Sequence, residues 1–263
     1  VAIDWFAPVI LVTLYVEREA NQELVKNLIE AAQASSEVAA VVLQKRFLPK
    51  APKETIYGLL PERVYAVESG LQFHLSLDRN QNHGFFLDMK PGRDWVRKHA
   101  EGKRALNLFA YTCSLSVAAV AAGAEKVVNL DMASGALATG RKNHELNFEK
   151  EQCQRASYLA YDLFKSWGKL KRGGPYDLII IDPPSNQGSS FYAEKDYQKI
   201  LRRLPELIHE GSQVLGCLNA PHLGEDFLTD LFADYKNLGR LPCAEGFADN
   251  NPEASLKLLS FAV

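Results

Sequence analysis

A chain of 263 residues, 47% of them hydrophobic and 24% charged, can bury a full core in one large domain or in a large and a small one. Its formal charge of −2 excludes a protein that coats nucleic acid or an anionic membrane through its overall field, so any such contact must be a local patch. Cysteines at 113, 153, 217 and 243 form neither a C-x-x-C pair nor a disulfide scaffold, which points to a reducing, cytoplasmic setting.

In chain order, a small α/β unit comes first: strand PVILVTLYVE, helix NQELVKNLIEAAQ, strand VAAVVLQKRF. The apolar run FAPVILVTLYV is too short to cross a bilayer as a helix, and no membrane partner is expected. Asp4 stands where a signal peptide would be basic, and Val1 in place of an initiator methionine leaves room for a further N-terminal domain. A Pro- and Lys-rich connector, LPKAPKET, precedes a hairpin over RVYAVESGLQFHLSL that turns at Ser69-Gly70. After DRNQNHG the texture changes, which sets the expected domains at 1–80 and 81–263.

From about residue 102, short strands alternate with helices, the pattern of a parallel sheet covered by helices. Strands are expected over RALNLF, KVVNLD, SYLAYD, YDLIIID and GSQVLGCL, with a last one over ASLKLLSFAV. Helices are expected near 114–123, 133–147, 163–170, 195–208 and 224–235.

Ligands of such sheets bind beyond the carboxyl ends of the strands. The first strand ends in Tyr111, Thr112, Cys113 and Ser114, small or hydroxylic residues that either free backbone N–H groups for a ligand or simply cap the next helix. The second ends in Asp131, about twenty residues on, the spacing of a carboxylate that takes both hydroxyls of a ribose; a helix cap is the alternative. The third ends in Asp162, placed to accept from an adenine amine with Leu163 and Phe164 beside the ring, or to cap a helix. The fourth ends in Asp182-Pro183-Pro184-Ser185. Four acidic or polar strand ends in a row point to one rim, which would hold an adenosine.

The first loop lacks G-x-G-x-x-G and the chain lacks G-x-x-x-x-G-K-[ST], so NAD, FAD and P-loop ATP are disfavoured. S-adenosylmethionine, an adenosine carrier without phosphates, fits better. The two prolines fix φ and offer carbonyls without N–H groups, a rigid rim of acceptors able to hold an amino group in line with a methyl. On this pattern Asp131→Ala removes a ligand contact at an exposed rim with little loss of stability.

The segments GFFLDMKPGRDWV, LNLFAYTCSLSVAA, VVNLDMA, DLFKSW and YDLIIIDPPS, in this order, resemble the class I S-adenosylmethionine-dependent methyltransferases, and more narrowly the RlmI/RlmK-like rRNA methyltransferase group. The resemblance implies a Rossmann-like doubly wound seven-stranded sheet with a small N-terminal α/β domain that helps hold RNA. It implies that Phe109, Tyr111, Thr112, Cys113 and Ser114 line the methionine side of S-adenosylmethionine. Asp131 and Met132 would flank the ribose, Asp162 and Leu163 the adenine, and Asp88 and Arg93 would close over the cofactor, although these two could equally be a surface ion pair. Asp182, Pro183, Pro184 and Ser185 would be the catalytic rim, and the substrate a base in ribosomal or other structured RNA.

Three departures bear on chemistry. Cys113 and Ser114 replace a glycine common in the first loop, and Asn186 stands where the group usually has an aromatic able to stack on a base. A cysteine nucleophile for carbon-5 methylation is expected just past the fifth strand, where this chain has Asn219, with Cys217 deeper in the strand as a structural thiol. Nitrogen methylation is therefore favoured. His222 is a lone loop histidine, a weak candidate base, and no metal site is expected because the six histidines are scattered.

Basic patches at Lys45, Arg46, Lys50 and Lys53, at Lys165, Lys169, Lys171 and Arg172, and at Lys195, Lys199, Arg202 and Arg203 each read as a solvated face when taken alone. Rival functions are methylation of a small molecule or protein and a non-catalytic RNA-binding protein; a nicotinamide-dependent reductase is disfavoured. A monomer or homodimer is expected.

Overall fold

A computed structural model describes residues 1–78, 81–187, 191–244 and 255–263. The chain forms two compact units, Val1–Phe85 and Phe86–Val263. The boundary expected at residue 80 falls on a position outside the described residues.

The first unit contains β1 (Ala2–Phe6), β2 (Val9–Leu14), α1 (Glu19–Ala34), β3 (Ala40–Lys45), β4 (Lys53–Gly58), β5 (Tyr65–Glu68) and β6 (Leu71–His74). β1 to β4 form one sheet in chain order, with β2 and β3 parallel and joined through α1. Val12, Leu14, Val41 and Leu43 cluster with Ala32, Val25 and Leu28 of the helix. β5 and β6 form the expected hairpin. Its turn residues Ser69 and Gly70 both have positive φ, 51° and 78°, as a two-residue hairpin turn requires. Two strands are new. The apolar run divides at Ala7-Pro8 between β1 and β2, and β4 starts inside the connector, at Lys53, just after Pro52.

The second unit contains α2 (Lys90–His99), β7 (Arg104–Leu108), α3 (Ser114–Ala121), β8 (Lys126–Asp131), α4 (Ser134–Asn147), α5 (Lys150–Cys153), β9 (Ala156–Ala160), α6 (Trp167–Gly173), β10 (Leu178–Ile181), β11 (Asn186–Gln187), β12 (Phe191–Tyr192), α7 (Ala193–Arg203), β13 (Gln213–Leu218), α8 (Asp226–Leu231), β14 (Lys236–Arg240) and β15 (Lys257–Ala262). The seven-stranded sheet has the order β14-β15-β13-β10-β7-β8-β9. β15 runs antiparallel to both its neighbours and the remaining pairs are parallel.

The central strands read as continuous apolar runs because both faces are covered. Leu106, Leu108, Ile179 and Ile181 enter one cluster, and Ala105, Leu178 and Ile180 enter the other. The chain leaves β7 toward β8 and β9, then returns to the other side of β7 with β10. That reversal places the ligand-binding crevice at the carboxyl ends of β7 and β10.

Helix ends differ from expectation for local reasons. The segment near 163–170 is a 3-10 turn, Leu163–Lys165, capped by Asp162, followed by α6. α7 gives way to the 3-10 turn Leu204–Glu206, where Pro205 cannot continue the α-helical hydrogen bonds.

Candidate functional site

The loop after β7 takes an uncommon backbone path. Phe109, Tyr111 and Cys113 have φ of 58°, 46° and 62°, a region that costs a non-glycine residue free energy unless neighbours hold it. The neighbours are specific. Ala110 N–H donates to Leu130 O (3.0 Å), Cys113 N–H to Ala110 O (2.7 Å), and Asn143 Nδ2 to Thr112 O (2.9 Å). Tyr111 N–H donates to Asp131 Oδ2 (2.8 Å).

Cys113 is fully buried, and its thiol is accommodated by Gly140 of α4. A Cβ at Gly140 would lie 2.4 Å from Cys113 Sγ. Gly140→Ala is therefore expected to lower the melting temperature, with a loss of about 1–3 kcal/mol from overpacking. Adding Cys113→Gly should recover most of it, and a thermal-denaturation double-mutant cycle checks this.

Beneath the loop, Asn107 Nδ2 donates to Asn129 Oδ1 (3.0 Å) and Asn129 Nδ2 to Ser116 Oγ (2.9 Å). His144 Nδ1 lies 2.8 Å from Gly140 O, which makes Nδ1 the donor, so Nε2 accepts from the Ser116 hydroxyl at 3.0 Å. Burial pushes His144 down to about 4 and keeps it neutral. This buried network ties β7, β8, α3 and α4 into one rigid base.

Asp131 ends β8 half-buried. Besides Tyr111, its Oδ1 accepts from Ala133 N–H at 2.8 Å. The carboxylate thus both holds the first loop and fixes the turn that leads into α4. Two carboxylate oxygens offer about four acceptor sites, so capacity for ribose hydroxyls remains. The expectation that Asp131 is a ligand contact with little structural duty is corrected by these two bonds. Asp162 has the same double character: Oδ1 accepts from Phe164 N–H at 2.8 Å, and Oδ2 lies 3.6 Å from Lys165 Nζ.

Asp131, Met132, Asp162 and Leu163 line one cleft with Phe109, Leu130, Phe164 and Phe191. Met132 is exposed and Leu163 is buried in the floor. The Phe109 and Phe191 rings meet edge-on at 5.1 Å, and Phe164 stacks on Phe191 at 6.4 Å. Among the described residues, the lining offers carboxylate acceptors and aromatic walls, a set suited to the hydroxyls, amine and ring of an adenosine. Phe191 was missed in the sequence. It enters from beyond the Asp-Pro-Pro loop, and an aromatic following a polar loop was its only signal.

Asp182 follows β10 and is held from several sides. Ile181 O accepts from the buried Tyr197 hydroxyl (3.2 Å), Pro184 bridges in parallel to Asn219 past the end of β13, and Ser185 O accepts from Ala193 N–H (3.1 Å). Pro183 is buried; Pro184 and Ser185 are half-buried. Desolvation, reinforced by the negative charge of Asp88, pushes the Asp182 carboxyl up to about 7.

Asp88 and Asn219 line a cavity of about 210 Å³ with Pro91, Leu241, Cys243 and Leu258 among its walls. Asp88 therefore belongs to this cavity rather than to the cleft of Asp131 and Asp162. Arg93 is fully buried and donates to Phe86 O (2.9 Å), which removes the surface-pair alternative. Tyr111 is half-buried, with its ring 5.6 Å from that of Phe86, and Ser114 opens α3, whose first turn has no side-chain cap.

Cys217 is fully buried, and burial together with Asp182 raises its thiol well above the usual range, as a structural thiol requires. His222 is exposed and sits 2.7 Å from Glu194 Oε1. Asn186 pairs with Tyr192 across the two-residue β11–β12 ladder, which places an exposed aromatic beside it. Among the described residues no group of His, Cys, Asp and Glu is arranged to hold a metal, and no helix is long and apolar enough to cross a membrane.

Residues 1–262 match the family described as S-adenosylmethionine-dependent methyltransferase. Ribosomal RNA large subunit methyltransferase I of Escherichia coli (strain SMS-3-5) is 29% identical over 184 residues, 68% of this chain and 46% of that protein; the chain thus spans about half the length of the curated relatives it matches. Among solved structures, a SAM-dependent methyltransferase from Streptococcus mutans superimposes with a TM-score of 0.86 at 26% identity, covering 99% of this chain and 70% of that one. A second, described as a methyltransferase complexed with SAH, gives 0.85 at 24% identity, over 99% and 71% of the two chains.

Proposed function

The chain belongs to the S-adenosylmethionine-dependent methyltransferase family, and from that premise we propose that it methylates a nitrogen of a base in structured RNA, ribosomal RNA foremost. One observation carries the reading: the rigid Asp182-Pro183-Pro184 rim is locked to Asn219 at the neighbouring strand end, where Asn219 and Asp88 open on a cavity.

S-adenosylmethionine supplies a methyl group activated by its sulfonium. The adenosine would lie in the cleft of Asp131 and Asp162, with the methionine end along Phe109–Ser114 and toward Arg93. The acceptor base would enter the cavity of Asp88 and Asn219. Carbonyls of the Asp-Pro-Pro segment would accept from the acceptor's N–H groups and fix the direction of its lone pair. With the methyl group supplied by the bound cofactor, the Asp182 carboxylate, or water, would take the proton displaced from the acceptor nitrogen. Near pH 7 that carboxyl is poised to take it. The first unit would help hold the RNA, and cytoplasmic ribosome assembly is the setting that fits.

A second reading has one observation in its favour. Cys243 is exposed and lines the same cavity, so attack of a thiolate on carbon 6 of a pyrimidine, the route to carbon-5 methylation, has a residue at hand. Cys217→Ala is expected to keep full turnover and lose about 1 kcal/mol of stability, the cost of a small buried deletion. Cys243→Ser abolishes methylation only if carbon is the acceptor.

Calorimetric titration with S-adenosylmethionine and with NADH, followed by methyl transfer to ribosomal RNA lacking its modifications, tests the function. Micromolar binding of the first and a methylated nitrogen after nucleoside digestion are expected. A methylated small amine with salt-insensitive turnover would overturn the RNA substrate, and binding of neither ligand would overturn the activity.

A further inference from the structure

Two basic stretches that lie some twenty-five residues apart in the sequence are joined in the fold. The Arg203 guanidinium of α7 lies 5.3 Å from the Trp167 ring of α6, and Lys199 Nζ lies 5.7 Å from the Phe164 ring just before α6. Lys171 Nζ reaches Glu206 at 3.7 Å. The two helices therefore present one continuous face. Residues 161–173 and 192–206 together hold eight lysines and arginines against four carboxylates, in a chain whose net charge is −2. The rest of the molecule is correspondingly acidic, so the positive potential is concentrated here.

The face begins at the cofactor cleft. Phe164 and Phe191, which stack in the cleft wall, immediately precede α6 and α7. Beside each stands an exposed tyrosine with a lysine over its ring: Tyr161, 43% exposed, with Lys169 Nζ at 3.4 Å, and Tyr192, 42% exposed, with Lys195 Nζ at 5.7 Å. An exposed aromatic side chain paired with a cation is what an unpaired base and its phosphate require.

Resting on the reading of RNA as substrate, we infer that the α6–α7 face is the track for the phosphodiester backbone of that RNA, with Tyr161 and Tyr192 as stacking platforms where the strand enters the site. Charge complementarity selects a polyanion. The two exposed tyrosines at the cleft end select a single-stranded nucleic acid over an acidic protein, which would use the cations alone. Tyr192 also supplies, from across the β11–β12 ladder, the aromatic that Asn186 lacks.

The test compares the full chain with a variant carrying Lys169→Gln, Arg172→Gln, Lys195→Gln and Arg202→Gln, and with Tyr161→Ala and Tyr192→Ala. All six positions are exposed. An unstructured single-stranded RNA is the probe, polyglutamate the competitor, and S-adenosylmethionine titration the control for an intact site.

The slope of log affinity against log salt should shrink by roughly 0.7 for each phosphate that is no longer neutralised, so by about 2 to 3 in the fourfold variant. Each tyrosine variant should weaken binding about 5- to 100-fold with the slope kept. S-adenosylmethionine affinity should be unchanged in all three. An unchanged slope in the fourfold variant, with RNA still bound, overturns the track and leaves the RNA substrate standing. Polyglutamate competing as well as RNA does so too, in favour of an acidic protein partner. A wild-type chain that binds S-adenosylmethionine and no RNA overturns the substrate reading itself.

Discussion

Asp182→Asn is expected to raise the melting temperature at neutral pH while lowering methyl transfer by about a hundredfold or more, the scale of a lost proton acceptor. The stability gain follows from the position of the carboxyl. Its proton is lost near the ordinary 3.8 in the unfolded chain but is held to about 7 in the native one. Between these values the native state binds more protons than the unfolded state, so stability falls as pH rises from about 4 to about 7 and then levels off. The gap corresponds to at most about 4 kcal/mol, at 1.36 kcal/mol per pH unit, reduced by the partial solvent contact of Asp182. The asparagine variant cannot ionise and should lose this decline. Denaturant titrations at several pH values read the stability, and initial rates read the activity, which in the wild type should climb with pH through about 7. An unchanged pH dependence of stability in Asp182→Asn would assign the decline to another group.

Asp131→Ala should strike binding and stability together. It removes the acceptor for Tyr111 N–H and for Ala133 N–H, and with them the clamp on a loop that holds three non-glycine residues at positive φ. Two hydrogen bonds to a charged group imply a loss of about 3–6 kcal/mol in stability. Removal of ribose hydrogen bonds of the same kind implies about a hundredfold or more in S-adenosylmethionine affinity. Asp131→Asn keeps one oxygen able to accept and should lose less stability while still losing affinity. Calorimetry beside thermal denaturation separates the two quantities. Full affinity in a destabilised Asp131→Ala protein would reduce Asp131 to a loop clamp.

What the sequence reveals depends on where free energy is stored. β8 and β10 are buried on both faces, so their apolar runs end where the strands end, and their acidic termini mark the crevice directly. β14 could not be read from Lys236–Arg240, a mostly exposed edge strand whose register shifts at Gly239. β4 begins inside a Pro- and Lys-rich segment because only its pairing with β3 makes it a strand. In the site, residue types at strand ends were legible, whereas bonds and packing made across the sheet were not. The Asp131–Tyr111 bond, the seat of Cys113 against Gly140 and the arrival of Phe191 all depend on which strands and helices become neighbours.

The place of β15 bears on how the molecule is made. It lies between β13 and β14, and among the described residues it is the strand that pairs with β14, while its Phe261 ring stacks on Phe232 at 4.0 Å. During synthesis, β7 to β10 and β13 can assemble as they emerge, but the sheet beyond β13 has no template until residues 257–262 have left the ribosome. Until then the outer edge of β13 is an unpaired apolar strand, open to pairing with other chains. β15 therefore closes the sheet beyond β13, and ribosome-bound chains shortened before Lys257 should depend more on chaperones than chains that carry it.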